Sequence, residues 1–284
     1  MFVADNRVQS AKTYFFERLA ELFSPTECKS MWTTVLNIYF GWSASDILLK
    51  NDERLSESDL LQIRSVVKRL QANEPFQYII GEVEFANLKL KVDHRALIPR
   101  PETEELIDLI VRQEKPFQSI VDLCTGSGCI ALALKKTFAQ AEVTGLELSQ
   151  DALELAKENA ALHNLSVVFE YGDIFNWQTQ KRFDLMVSNP PYIPQEEAAQ
   201  MAPNVLDFEP HIALFVPNED PLRFYKQIMI IAQDKLLKDG YLALEIHENY
   251  AKETAALFSE ACFKNVQIYC DLQGKERMIL AQKA

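Results

Sequence analysis

The sequence predicts an α/β protein: a mostly parallel sheet covered by helices on both faces, preceded by a small helical part and a β-hairpin. Three observations carry this. From Ser119 onward, short apolar runs alternate with helix-length segments, the pattern of parallel strands joined by crossover helices. The first 75 residues hold one glycine, Gly41, and apolar residues at helical spacing. Between the two, residues 76–98 alternate with a period of two, as a β-hairpin does. The expected boundaries are therefore 1–75 for a helical domain, 76–98 for a hairpin linker and 99–284 for the α/β domain.

In the first part Val8, Tyr14, Phe15, Leu19, Leu22 and Phe23 read as one apolar face, and Leu60, Leu61, Val66, Val67 and Leu70 as another. Ser24-Pro25 and Ser56-Glu57 supply helix starts. Nothing here offers a chemical group, so docking of a partner or packing is the role open to it. Pro75 closes the last helix, and Val83, Phe85, Leu88, Leu90 and Val92 then alternate across Ala86-Asn87. In the third part strands are expected at 119–123, 142–146, 167–170, 183–187 and 241–246. Helices are expected at 129–138 and 151–163, the second starting behind Ser149 with Ala152, Leu155, Ala156, Asn159 and Ala160 on one side.

A length of 284 residues suits one main domain and a smaller one. No apolar run reaches the roughly 18 residues that would suggest a membrane span, and MFVADNRVQS lacks the pattern of a signal peptide. Cys28, Cys124, Cys129, Cys262 and Cys270 form no CxxC pair, so small buried thiols in a reducing cytoplasm are expected, with no metal site. The formal net charge of -12 counts against DNA or RNA as the main partner. The local cluster of Lys89, Lys91, His94, Arg95 and Arg100 reads equally as a solvated face.

Ligands of open parallel sheets bind beyond the carboxyl ends of the strands, and the informative residues stand there. The first strand runs into Asp122-Leu123-Cys124-Thr125-Gly126-Ser127-Gly128, where two glycines allow a tight turn and close approach of a ligand. The second ends at Glu147, 19 residues beyond Gly128, placed to accept hydrogen bonds from both ribose hydroxyls of an adenosine. After the third come Gly172, Asp173, Ile174 and Phe175; Asp173 can accept from an adenine amino group and Ile174 or Phe175 can pack on the ring. After the fourth stands Ser188-Asn189-Pro190-Pro191-Tyr192. The two prolines lock the local φ angles and donate nothing, making a rigid ledge. The Asn189 oxygen and the Pro190 carbonyl can accept both hydrogens of a substrate NH₂ group, and Tyr192 can stack on the planar group that carries it.

This Asn-Pro-Pro-Tyr resembles the motif of amino-methyltransferases, which act on adenine or on glutamine amides. Upstream, Leu97-Ile98-Pro99-Arg100-Pro101-Glu102-Thr103-Glu104-Glu105 looks like the signature of the peptide chain release factor glutamine methyltransferases (PrmC/HemK-like). Further matches are Gln77-Tyr78 with Gly81 and Phe85, Glu209-Pro210 with Ala213-Leu214, and Asp271-Leu272 with Gly274 and Arg277. The similarity runs from about residue 75 to the C-terminus, and that family also carries a helical N-terminal domain. It implies a Rossmann-like domain using S-adenosylmethionine (SAM), with peptide chain release factors as protein substrate and the glutamine of a Gly-Gly-Gln loop as target. Site residues implied are Asp122, Cys124, Thr125, Gly126, Ser127, Gly128, Glu147, Asp173, Ile174 and Asn189 for SAM, with Asp122 facing the methionine amino group. Asp122 is expected to meet that amino group directly or through water. Asn189, Pro190, Pro191 and Tyr192 are implied for the substrate, with Asn189, Pro190 and Tyr192 carrying catalysis. The chain departs from the family at Cys124 and His247, where glycine is usual, at Glu147, often aspartate, and at Glu219-Asp220-Pro221.

SAM brings a methyl group already activated on a sulfonium, so positioning and electrostatics suffice. No histidine, thiol or metal is required; His94, His163, His211 and His247 are scattered. An adenine amino-methyltransferase fits the same planar NH₂ group, but acidity and the IPRPETE string oppose it. That string also separates the reading from the ribosomal-protein glutamine methyltransferases. A nicotinamide-dependent dehydrogenase fits Gly126 to Ala131 as GxGxxA and leaves Asp122 and NPPY without a role. A non-enzymatic SAM-binding module needs NPPY to be idle.

Overall fold

The computed structural model describes Val3 and residues 5–284. The expectation that no signal peptide is present rests partly on Met1, Phe2 and Ala4, which lie outside the described residues. Two compact units form, Met1–Gly81 with Pro203–Phe208, and Glu82–Ala202 with Glu209–Ala284.

The first unit contains α1 (Val8–Leu19), α2 (Pro25–Phe40), α3 (Ala44–Leu49), α4 (Glu57–Gln71) and α5 (Phe76–Ile80). The serines read as helix starts act as capping boxes. Ser24 accepts from the Glu27 N–H while Glu27 accepts from the Ser24 N–H, and Ser56 and Asp59 do the same for α4. The buried stripes are Val8, Ala11, Phe15 and Leu19 on α1 and Leu60, Ile63, Val66, Val67 and Leu70 on α4. Leu22 and Leu61, expected on these faces, are exposed: Leu22 lies beyond the end of α1, and the stripe of α4 follows the 3.6-residue period through Ile63.

The expected hairpin is shorter than 76–98. Pro75 initiates a helix instead of only ending one: its φ of −55° suits a helix start, and Gly81 at φ +83° stops the turn. The hairpin proper is β1 (Glu82–Phe85) and β2 (Leu88–Lys91), antiparallel, joined by Ala86 and Asn87, both at positive φ as a two-residue hairpin turn demands.

In the second unit follow α6 (Pro101–Val111), β3 (Ser119–Leu123), α7 (Cys129–Thr137), β4 (Glu142–Glu147), α8 (Gln150–His163), β5 (Val168–Tyr171), β6 (Phe183–Ser188) and β7 (Ile193–Pro194). After α9 (Pro203–Leu206), which belongs to the first unit, come β8 (Phe215–Val216), α10 (Arg223–Lys235), β9 (Leu236–Glu245), α11 (Ala251–Glu260), β10 (Phe263–Cys270) and β11 (Glu276–Lys283). The seven-stranded sheet has the order β10-β11-β9-β6-β3-β4-β5. From β9 to β5 all pairings are parallel, and β10 and β11 are antiparallel. The parallel strands carry apolar residues on both faces: Ile120, Leu185, Val187 and Ala243 meet one core with α6 and α7, and Val121, Met186, Leu242 and Leu244 meet the other with α10 and α11. The chain winds outward through β4 and β5, then returns to place β6 on the other side of β3. The crevice at that reversal is where an α/β sheet binds ligands.

Of the thiols, Cys28 is buried as expected, Cys124 and Cys129 are half-buried, and Cys262 and Cys270 are exposed.

Candidate active site

Beyond β3 the chain turns through Cys124, Gly126 and Gly128, all at positive φ (63°, 56° and 81°). At Gly128 a side chain is doubly excluded, since a Cβ would stand 3.1 Å from Ala156 Cβ and 3.3 Å from the Phe169 ring. Cys124 holds the left-handed conformation without being glycine, a cost of about 1–2 kcal/mol. Asn159 of α8 binds this turn to the hairpin: its amide donates to the Ser127 carbonyl (3.0 Å) and the Lys91 carbonyl (3.1 Å), and its oxygen accepts from the Lys91 N–H (2.7 Å).

Asp122 lies beneath the turn and is absent from the cavity wall. It is fully buried; Oδ2 accepts from the Thr125 hydroxyl (2.5 Å) and the Ala131 N–H (3.2 Å), while Oδ1 has no hydrogen-bond partner among the described residues. In the fold it supports the turn from beneath. Burial pushes its carboxyl up to about 7, against the opposing pull of Thr125 and Ala131. In the unfolded chain the group titrates near 3.8. The folded state therefore keeps a proton that the unfolded state releases, and stability is lost as pH rises from about 4 towards 7, by an amount on the order of 4 kcal/mol. Asp122→Asn retains an acceptor oxygen for both bonds and cannot ionise. Urea unfolding of the ligand-free protein should show the wild type losing several kcal/mol relative to the variant between about pH 4 and 7. Parallel pH profiles would show that Asp122 is charged in the fold.

A cavity of about 350 Å³ opens at the strand ends, lined among others by Cys124, Thr125, Gly126, Ser127, Glu147, Asp173, Ile174, Asn189 and Pro191. Four expected site residues stand behind its wall: Asp122, Gly128, Pro190 and Tyr192. Gly128 faces α8, and Pro190 is buried.

Glu147 ends β4 with each oxygen engaged once, Oε2 accepting from the Gly126 N–H (2.8 Å) and Oε1 from the Ser149 N–H (2.9 Å). Each carboxylate oxygen keeps a further lone pair. Burial raises its pKa, and the backbone donors of Ser149 and Gly126 oppose this. Asp173 accepts from the Phe175 N–H (3.0 Å) and the Asn176 amide (3.1 Å), which fixes the loop after β5. The Arg223 guanidinium lies 4.4 Å above the Phe175 ring, and both residues line the cavity.

The IPRPETE segment enters α6, and its polar residues clasp the other segments singled out in the sequence. Arg100 pairs with Glu209 (2.5 Å), whose other oxygen accepts from the Ile98 N–H (3.0 Å). Glu102 accepts from the Gln273 amide (3.3 Å) and Glu105 from the Leu272 N–H (3.1 Å), tying α6 to the turn before β11. Thr103 donates to Glu245 Oε2 (2.6 Å). Distant motifs are thus one construction around the cavity.

Asn189 lies at the cavity wall with its amide nitrogen 3.1 Å from Thr103 Oγ1. Tyr192 turns its hydroxyl away to Glu245 Oε1 (3.0 Å). Burial and the neighbouring Glu245 push its phenol well above the usual range, so it stays a donor. Burial raises Glu245 as well, opposed by the hydroxyls of Thr103 and Tyr192 and by Arg277. Sequence reading passed over Thr103 and Glu245 as site residues. The one signal was their place in quoted strings, IPRPETE and Glu245-Ile246-His247. His247, where glycine is usual, has φ −74° and needs none; its Nε2 lies 3.1 Å from Glu197 Oε2.

The model of the PrmC N-terminal domain matches residues 15–81 and that of the methyltransferase small domain residues 103–207. A methyltransferase structure from Pyrococcus furiosus superposes with a TM-score of 0.51 at 18% identity, covering 78% of this chain and 96% of that one, a likeness of fold. A curated release factor glutamine methyltransferase of Bacteroides thetaiotaomicron is 36% identical, covering 95% of this chain and 98% of its own. Another, of Flavobacterium psychrophilum, is 37% identical over 96% and 98%. With both relatives matched almost end to end, the chain belongs to the release factor glutamine methyltransferase family.

Proposed function

We propose that this protein transfers a methyl group from SAM to the side-chain amide nitrogen of the glutamine in a Gly-Gly-Gln loop of a peptide chain release factor, in the cytoplasm. The carrying observation is Asn189, set at the wall of the cavity that also holds the glycine turn and Glu147. The donor set fits SAM. Glu147 has lone pairs for both ribose hydroxyls, Ile174 and Phe175 offer apolar faces to adenine, and Asp173 an acceptor. SAM supplies an electrophilic methyl on a positively charged sulfur.

An amide nitrogen is a poor nucleophile because its lone pair is delocalised into the carbonyl. The Asn189 oxygen accepts one N–H of the substrate amide, so positive charge growing on that nitrogen meets a fixed dipole. The prolines hold this ledge rigid, and Tyr192 behind it is tied to Glu245. Among the described residues no group of His, Cys, Asp and Glu could hold a metal ion, and the roles above use none. No helix among them is long and apolar enough to cross a membrane.

The helical unit is the docking element for the protein substrate. The test uses intact release factor and radiolabelled SAM. Label should enter the glutamine of Gly-Gly-Gln, located by mass spectrometry, and the factor with that glutamine changed to glutamate should take up none. A chain beginning at Glu82 should bind SAM yet methylate the intact factor poorly. Undiminished labelling of the altered factor would overturn the target, and full turnover by the shortened chain would overturn docking.

A further inference from the structure

We propose that Glu245 and Thr103 are positioning residues that decide which end of the Asn189 amide faces the substrate; this rests on the role given to Asn189 above. The two ends of an asparagine amide are nearly alike in shape, one a donor and the other an acceptor. Packing alone therefore chooses poorly between them. Only the acceptor end can take a hydrogen from a substrate NH₂ group, whereas the flipped side chain would set donor against donor.

The choice is made by a chain of hydrogen bonds whose direction is forced from its buried end. Glu245, at the end of β9, is 2% exposed. Its carboxylate can only accept, and both oxygens meet hydroxyls: Thr103 Oγ1 at 2.6 Å and Tyr192 Oη at 3.0 Å. A hydroxyl has one hydrogen. Thr103 directs its hydrogen to Glu245, so towards Asn189, 3.1 Å away, it can only accept. The Asn189 NH₂ must then face Thr103, which leaves Oδ1 at the opposite end of the amide. The same carboxylate orients Tyr192, so one buried group sets both polar side chains of NPPY. The three partners come from the end of β6, the first turn of α6 and the end of β9, so only the fold assembles them.

Thr103→Val keeps the shape and removes the relay; Thr103→Ser keeps the hydroxyl. With full-length protein, tritiated SAM and intact release factor, Thr103→Val should lower kcat by roughly tenfold to a hundredfold. SAM affinity by calorimetry and KM for the factor should stay within about threefold, and Thr103→Ser should recover most of the turnover. In an Asn189→Ala background Thr103→Val should change kcat by less than about twofold, because the group it orients is gone. Thr103→Ala serves as second variant if valine prevents folding. The relay is refuted by wild-type kcat in Thr103→Val, by failure of serine to restore turnover, by loss of SAM affinity in step with kcat, or by equal losses with and without Asn189. Wild-type turnover by Asn189→Ala itself would instead remove the role of Asn189 on which the relay rests.

Discussion

Asn189→Ala is expected to bind SAM almost as tightly as the wild type and to methylate release factor at least about 100-fold more slowly, the scale of losing one preorganised electrostatic contact. The strand that carries it ends at Ser188, whose hydroxyl holds the Leu123 carbonyl of the neighbouring strand at 2.5 Å. The two prolines that follow are untouched by the substitution, so the ledge should persist. What is lost is an acceptor oriented before the substrate arrives. Asn189→Asp is the finer control: it keeps acceptor oxygens but loses the donor to Thr103 and adds a charge beside the sulfonium site. Its SAM affinity should change while turnover stays low. Single-turnover assays with calorimetry in parallel separate these effects. A rate near wild type for Asn189→Ala would mean that the substrate amide is held by backbone alone.

Glu147→Ala should weaken SAM by about 100-fold or more. Two hydrogen bonds from ribose hydroxyls to a charged acceptor contribute about 1.5–3 kcal/mol each, and every 1.4 kcal/mol is about tenfold in affinity. The loss has a second source, because Glu147 also accepts the Gly126 N–H at 2.8 Å, so the glycine turn loses a support together with the ligand. The fold should survive, since Thr125 is still held by Asp122 and by the Leu146 carbonyl. Because burial holds the Glu147 carboxyl above its ordinary 4.5, SAM affinity should fall as pH drops through that raised value and the acceptor becomes half a donor. In Glu147→Ala this part of the pH dependence should vanish. Unchanged affinity by calorimetry would take Glu147 out of the ribose site.

The sequence alone carried the layer architecture and part of the cavity wall. Strands buried on both faces write themselves as apolar runs, and ligand loops follow strand ends, which singled out Gly126, Glu147, Asp173, Ile174 and Asn189, all at the cavity; Cys124, Thr125 and Ser127 came with the family resemblance. These are local facts: a turn, a strand end, a proline pair. The partners of Asp122 were not legible, because what a side chain at the end of β3 meets is decided by what packs beneath the turn, here Thr125 and the Ala131 N–H. The hairpin was drawn too long because alternation and a five-residue helix look alike until Pro75 and Gly81 take their φ values. Thr103, Glu209 and Glu245 gained meaning only in three dimensions. Each is buried and finds its partner more than 50 residues away: Thr103 with Glu245, Glu209 with Arg100, Glu245 with Tyr192. A buried polar group must be satisfied, but sequence does not say by whom. That pairing, and with it the direction in which Asn189 points, belongs to the tertiary structure.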